Sequence, residues 1–338
     1  FDDFETGNFF MRVSVMSEKD ATLEELRERF AETAGKKGGE FYTPRSVVRL
    51  LVEILDPREG MRIHDPTCGS GGMLIECGHH VAERGGDPRN LTLTGQEKNY
   101  GTWAICRLNM LLHGLPDADI RAGDTIRSPK FVTEGALDAF DRVIANPPFS
   151  LKDWGHDIAE GDPYARFTPG VPPRTKGDMA FLLHMLEIAK PAQGMVGVVL
   201  PHGVLFRGAA EGKIRQQLLE RDLIEAVIGL PAQLFFGTGI PAAILLFKRD
   251  KPDDSVLFIE ASREFESGSK QNVLRPQDIN KILTTYRERQ PIEKYAHLAN
   301  RINQPCGHGG LVPDIPSNGR ANQKHDFPAR RVIGHALN

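Results

Sequence analysis

The chain has 338 residues, 40% hydrophobic and 26% charged, which is the composition of a globular protein and length enough for one large α/β domain with an appendage or for two domains. Lys and Arg number 42 against 45 Asp and Glu, a net charge of -3; this excludes disorder as the main state and lacks the basic footprint of a protein that grips nucleic acid unaided. There is no run of 18 apolar residues and no basic-then-apolar leader, so neither a membrane span nor secretion is supported and the cytoplasm is the expected compartment.

The opening ten residues, without an initiator methionine, read as the start of a fragment. Leu23, Leu26 and Phe30 predict a helix over 22–34 that Gly38-Gly39 breaks. Val47, Val48, Leu50, Leu51, Ile54 and Leu55 predict a second helix from about Pro44, a proline suited to a first turn, with a turn over 56–60. Strand and helix signals then alternate, as in a parallel sheet covered on both faces. Strands are expected at 61–65, 91–97, 118–123 and 140–145, and helices at 70–84 and 100–113. Asn146-Pro147-Pro148-Phe149 stops the fourth strand, because proline cannot continue a central strand. Residues 150–175 read as a long functional loop rich in Pro, Gly, Asp and Arg, with Trp154, Tyr164 and Phe167 spaced through it. A helix at 178–190, a strand at 195–201, a helix at 211–221 and a strand at 223–230 follow, and a strand at 242–248 is expected to pair antiparallel. These make seven strands. A strand at 256–261 and a helix at 277–289 form a smaller appendage, and 301–338 reads as disordered. Cys68, Cys77, Cys106 and Cys306 lie far apart without a C-x-x-C pair, so they read as buried or incidental thiols.

Asp65-Pro66-Thr67-Cys68-Gly69-Ser70-Gly71-Gly72 lies where the first strand hands over to a helix, a place where backbone approaches a ligand closely and the helix start favours an anion. Its spacing is not Gly-x-Gly-x-x-Gly and no Lys-Ser/Thr follows, so a cofactor without a pyrophosphate fits best; a tight turn without ligand is the plain alternative. Glu97, at the second strand's end, is placed to accept from ribose hydroxyls, and Gly123-Asp124-Thr125 ends the third strand. Each carboxylate alone is more often a cap or a solvated turn residue. Three of them on consecutive strand ends, beside the glycines, point to an adenosine site.

The Asn146-Pro147-Pro148-Phe149 turn suits a harder task. An exocyclic amine on a nucleobase is conjugated with its ring and is a poor nucleophile, so methylating it requires an arrangement that localises its lone pair. Asn146 Oδ1 and the Pro147 carbonyl can each accept one amine hydrogen, the prolines stiffen the turn, and Phe149 can stack on a base flipped from its duplex. No Cys nucleophile, as carbon-5 methylation of cytosine would need, is placed here.

In motif order and text the chain resembles the methylation subunit of type I restriction-modification systems, a group of N6-adenine DNA methyltransferases. The matching stretches are 39–45 (Gly-Glu-Phe-Tyr-Thr-Pro-Arg), 65–72, 95–97, 123–125, 145–150, 200–207, 237–241 and 258–265. The resemblance implies a Rossmann-like, seven-stranded S-adenosylmethionine-dependent methyltransferase sheet with helices on both faces and a last antiparallel strand. It implies that Phe41, Tyr42, Thr43 and Pro44, with Glu40 beside them, close over the methionine end of S-adenosylmethionine. By the same likeness Thr67, Gly69, Ser70, Gly71 and Gly72 cradle the cofactor, Asp65 lies near its amino group, Glu97 holds the ribose, and Asp124 with Thr125 holds the adenine. Asn146, Pro147, Pro148 and Phe149 receive the target adenine, and no metal is required. The implied partners are double-stranded DNA, a specificity subunit that reads the sequence, a restriction subunit and a second copy of the chain. On this basis 1–37 is the remnant of an N-terminal helical region, 38–250 the catalytic domain, 251–298 its appendage and 299–338 an atypical tail.

Two other classes share these signals: an amino-group methyltransferase acting on protein glutamine or RNA, and a non-catalytic cofactor-binding domain. The 41–45 segment and the signatures beyond residue 200 favour DNA. His79, His80 and His113 are expected on helix surfaces or ends, and His184 as a satisfied core histidine. Trp154, Tyr164 and Phe167 divide evenly between stacking on nucleic acid and packing the loop, as Arg166 and Arg174 do between phosphate and solvent.

Overall fold

Apolar residues at helical spacing place Arg45–Leu55 in a first helix, α1, with Pro44 before it and Asp56 closing it in the left-handed region. The structure, a computed structural model, describes residues 43–235, 239–269 and 271–300; the expected helix at 22–34, Cys306 and the tail from 301 lie outside them. The alternation continues as β1 (Arg62–Asp65), α2 (Gly72–Glu83), β2 (Thr92–Glu97), α3 (Tyr100–Leu112) and β3 (Asp119–Ala122). A hairpin of β4 (Val132–Thr133) and β5 (Ala136–Leu137) precedes β6 (Arg142–Ala145), and the long loop carries a single short turn of helix, α4 (His156–Ala159). Then come α5 (Asp178–Glu187), β7 (Met195–Pro201), α6 (Ala209–Glu220), β8 (Ile224–Gly229), β9 (Ala242–Lys248), β10 (Ser255–Glu260), α7 (Pro276–Glu288) and β11 (Ala296–Asn300).

The main sheet runs β11-β10-β8-β9-β7-β6-β1-β2-β3. Strand β9 is antiparallel to both neighbours, β7 and β8. The seven expected strands are joined by two more, because β10 hydrogen-bonds parallel to β8 and β11 antiparallel to β10. Burial explains that extension: Leu257 and Ile259 of β10 face one apolar layer, and Val256 and Phe258 face the other. A strand apolar on both sides cannot stand apart from the sheet. Helices α1, α2, α3 and α7 cover one face and α5 and α6 the other. Among the described residues, no helix is long and apolar enough to cross a membrane.

The long loop decides Trp154, Phe167 and Arg166 among the evenly divided residues and leaves Tyr164 half-buried. Trp154 and Phe167 are buried, and the Trp154 indole donates to the Pro173 carbonyl at 3.0 Å, so packing takes both rings. Arg166 is 2% exposed and cannot reach phosphate: it pairs with Asp162 at 2.6 Å and donates to the Thr125 and Ile126 carbonyls. Arg174 stays exposed. His184 is a satisfied core residue, accepting from Arg166 at Nδ1, which leaves the Nε2 hydrogen for Thr125 Oγ1 at 3.3 Å. His80 departs from expectation. It is 4% exposed and bonds Asp56 at 3.1 Å, because its side of α2 packs against the end of α1.

Candidate active site

The chain visits β1, β2 and β3 outward to one edge and then crosses back to β6, on the other side of β1. This reversal is the topological switch point at which open α/β sheets bind ligands. Strands β1 and β6 are parallel neighbours, with Ile63 beside Arg142 and His64 beside Val143. The turn starting at Asp65 and the turn starting at Asn146 therefore emerge side by side.

The first turn is tied down from three directions. Cys68 N–H donates to the Gln96 carbonyl at 3.1 Å, Gly69 N–H to Glu97 Oε2 at 3.0 Å, and Asn109 of α3 holds the Ser70 carbonyl at 3.0 Å. Sequence reading did not find Asn109, which looks like any polar residue of a helix. Gly71 precedes α2 at φ +88°, and a Cβ there would meet Met110 Cε at 2.3 Å and Cys106 Sγ at 2.9 Å. Gly71→Ala is expected to destabilise the fold by about 2 kcal/mol, from left-handed strain and overpacking; a thermal melt checks this.

Asp65 is 2% exposed, and its Oδ1 accepts from the Thr67 N–H at 3.0 Å. Burial pushes its carboxyl up to about 8; the Thr67 N–H opposes the rise and the nearby Glu97 adds to it. The folded carboxyl keeps a proton that an unfolded one, titrating near 4, has given up. The folded state's advantage is therefore whole below about pH 4 and is lost as pH rises to about 8. Asp65→Asn should raise the Tm of the cofactor-free chain by a margin that widens by roughly 5 °C between pH 5 and pH 8. Melts of both chains across that range test it, and parallel curves would refute it.

Glu97 accepts from the Asn99 N–H at 2.7 Å as well as from Gly69. Asp124 stands at the end of β3, where Oδ1 accepts from the Ile126 and Arg127 N–H groups and Oδ2 pairs with Lys98 at 3.0 Å. Thr125 is turned away from the crevice, toward His184. Thr67 Oγ1 is buried and has no hydrogen-bond partner among the described residues. Glu40, Phe41 and Tyr42 lie outside those residues.

The second turn meets the first across the switch point. Asn146 Nδ2 donates to Thr43 Oγ1 at 2.8 Å, while Asn146 Oδ1 is buried and, among the described residues, unpartnered. Pro147 is buried, Pro148 exposed, and Phe149 packs edge-on against Phe235 with ring centroids 5.8 Å apart. The structure thus brings together Thr43, Pro44, Asp65, residues 67–72, Glu97 and Asn146–Phe149, with Asp124 at the rim. A separate cavity of about 490 Å³ between α1 and α7, lined by Arg49, Glu53, Asp56, Arg84 and Tyr286, lies at the opposite ends of the strands, and its charges are engaged in ion pairs.

Residues 21–303 match the N-6 DNA methylase family. The chain belongs to this family. The methylase subunit of the type I restriction enzyme MjaVII of Methanocaldococcus jannaschii is 37% identical over 278 residues, 78% of this chain and 47% of that protein. The HindI methylase subunit of Haemophilus influenzae is 34% identical over 277 residues, 80% of this chain and 60% of that protein. The solved type I restriction-modification methyltransferase subunit of Streptococcus thermophilus superposes with a TM-score of 0.73 at 39% identity, over 80% of this chain and 57% of that one. The chain spans about half the length of the curated relatives it matches. Family membership agrees with the resemblance carried by the motifs, and the mixed sheet with its antiparallel β9 agrees with the fold expected from it.

Proposed function

We propose that this chain carries the methyl-transferring site of an N6-adenine DNA methyltransferase, the methylation subunit of a type I restriction-modification system. The observation that carries the reading is Asn146 Oδ1, a buried acceptor without a partner among the described residues, beside a glycine-rich turn and two buried carboxylates.

The crevice fits S-adenosylmethionine. Thr67 Oγ1 is an unspent buried polar group, and Asp65 and Glu97 are acceptors suited to an ammonium and to ribose hydroxyls. Residues 67–72, Asp65, Glu97 and Thr43–Pro44 would hold it, with Asp124 at the adenine end. When bound, S-adenosylmethionine supplies an electrophilic methyl group. The chain's own residues act on the other reactant. Asn146 Oδ1 accepts a hydrogen of the adenine amine and draws the nitrogen lone pair out of conjugation, so that it becomes nucleophilic. Thr43 holds the far end of the same carboxamide, so this acceptor is in place before the base arrives. Pro147 and Pro148 cannot donate hydrogen bonds and keep the turn stiff, and Phe149 offers a ring face to a flipped base.

The resemblance to type I methylation subunits supports double-stranded DNA, a specificity subunit, a restriction subunit and a second copy of this chain as partners, in the cytoplasm; a net charge of -3, which supplies few phosphate contacts, fits DNA affinity that is shared with such partners. The test is transfer of a tritiated methyl group by the chain, assembled with a specificity subunit, to methylation-free double-stranded DNA. Label recovered as N6-methyl-2′-deoxyadenosine is the expected result. Label in protein glutamine or RNA, or cofactor binding without transfer, would overturn it.

A further inference from the structure

The turn that receives the target base ends on a charge arrangement that neither the sheet nor the cofactor crevice requires. Ser150 follows Phe149 and holds φ +52°, the left-handed region that a side chain disfavours. Its N–H donates to Asp178 Oδ1 at 2.6 Å, and its hydroxyl lies 3.4 Å from Asp178 Oδ2. Asp178 opens α5 and is wholly buried. Arg207 Nη1 lies 3.0 Å from Asp178 Oδ2 and 2.9 Å from Glu211 Oε1, and Glu211 of α6 is itself 1% exposed. Two buried carboxylates around one guanidinium are poor stabilisers; apolar residues of similar volume would serve the core as well. The start of α5 favours the negative charge at Asp178 but does not call for it.

What the cluster does deliver is an acceptor, aimed at one backbone N–H. Of the three residues between Asn146 and Ser150 two are prolines without a donor, and at the outer end of the turn it is Ser150 N–H that the carboxylate grips. The inner end is gripped by Thr43 at Asn146.

We propose that Asp178, backed by Arg207, is the positioning residue of the target-base turn: by holding Ser150 in its left-handed conformation it sets the directions of Phe149 and of the Pro147 carbonyl. This role rests on the methyl-transfer reading above. Neither residue touches the cofactor crevice, so the effect falls on turnover and not on cofactor binding.

In the complex assembled with a specificity subunit and DNA, Asp178→Asn is expected to lower kcat by about 10- to 100-fold, with the KM for S-adenosylmethionine unchanged. Arg207→Met should lower kcat as far, and Arg207→Lys should recover part of the loss. A second measurement needs no turnover: amide hydrogen exchange at Ser150 in the full chain should be slow, and at least about tenfold faster in Asp178→Ala, which has no side-chain acceptor, while exchange in β6 stays the same. Unchanged kcat in both variants, a matching loss of cofactor affinity, or slow Ser150 exchange without the carboxylate overturns the proposal. A native complex that transfers no methyl group refutes the methyl-transfer reading, whereas the exchange arm reads the grip alone, so the two failures are distinguishable.

Discussion

Asn146→Ala is expected to lower kcat by about 10²- to 10³-fold and to leave the Kd for S-adenosylmethionine within about twofold of the native value, the loss seen when one preorganised hydrogen-bonding group is removed from a reacting centre. The carboxamide makes two different uses of its ends. Nδ2 is engaged with Thr43 at 2.8 Å, and Oδ1 is buried with no partner among the described residues. Truncation therefore removes a buried, unengaged acceptor, and no residue of the glycine-rich turn loses a bond. Single-turnover methyl transfer gives the rate and isothermal titration gives the affinity. An Ala variant that turns over at the native rate would sink the assignment of Asn146.

Glu97→Ala is expected to have the largest effect on binding, weakening S-adenosylmethionine by about 100-fold or more. The carboxylate accepts from Gly69 N–H at 3.0 Å and from Asn99 N–H at 2.7 Å, so its removal strips acceptors from two backbone donors as well as from the ligand. Hydrogen bonds to a charged acceptor contribute about 1.5–3 kcal/mol each, and their loss at Gly69 also frees the turn that the cofactor needs fixed. Glu97→Gln should fall between, because an amide can accept from one of the two donors but presents hydrogens to the other. Titration of both variants decides it, and native affinity in Glu97→Ala would place the ribose elsewhere.

The sequence makes the sheet legible up to β9 because strand signals alternate with helical spacing, because Pro66, Gly123 and Asn146-Pro147 mark the ends of β1, β3 and β6, and because Met195–Pro201 and Ala242–Lys248 are apolar along nearly their whole length. The strand ends carrying Asp65, Glu97, Asp124 and Asn146 are legible for the same reason: local turn chemistry announces them. What escaped is what depends on partners far along the chain. Thr43 and Asn146 are 103 residues apart, and Ser150 and Asp178 are 28 apart. No spacing rule predicts either contact. A charged or polar side chain in a helix or a loop usually lies at the surface, but Arg166 is buried against Asp162 and the Thr125 and Ile126 carbonyls, and His80 against Asp56 and Glu53. Thr125 is adjacent to Asp124 in sequence, but its hydroxyl goes to His184, 59 residues away, and not to the crevice.

The adjacency of β1 and β6 has a consequence for reach. Neighbouring strands in a sheet lie about 4.8 Å apart, a spacing set by backbone hydrogen bonds and indifferent to side chains. The roots of the two turns, at Asp65 and Asn146, stand on that ruler. Exposed positions of the loop beyond Ser150, such as Arg174, can then change while the gauge between the two roots stays as the sheet made it.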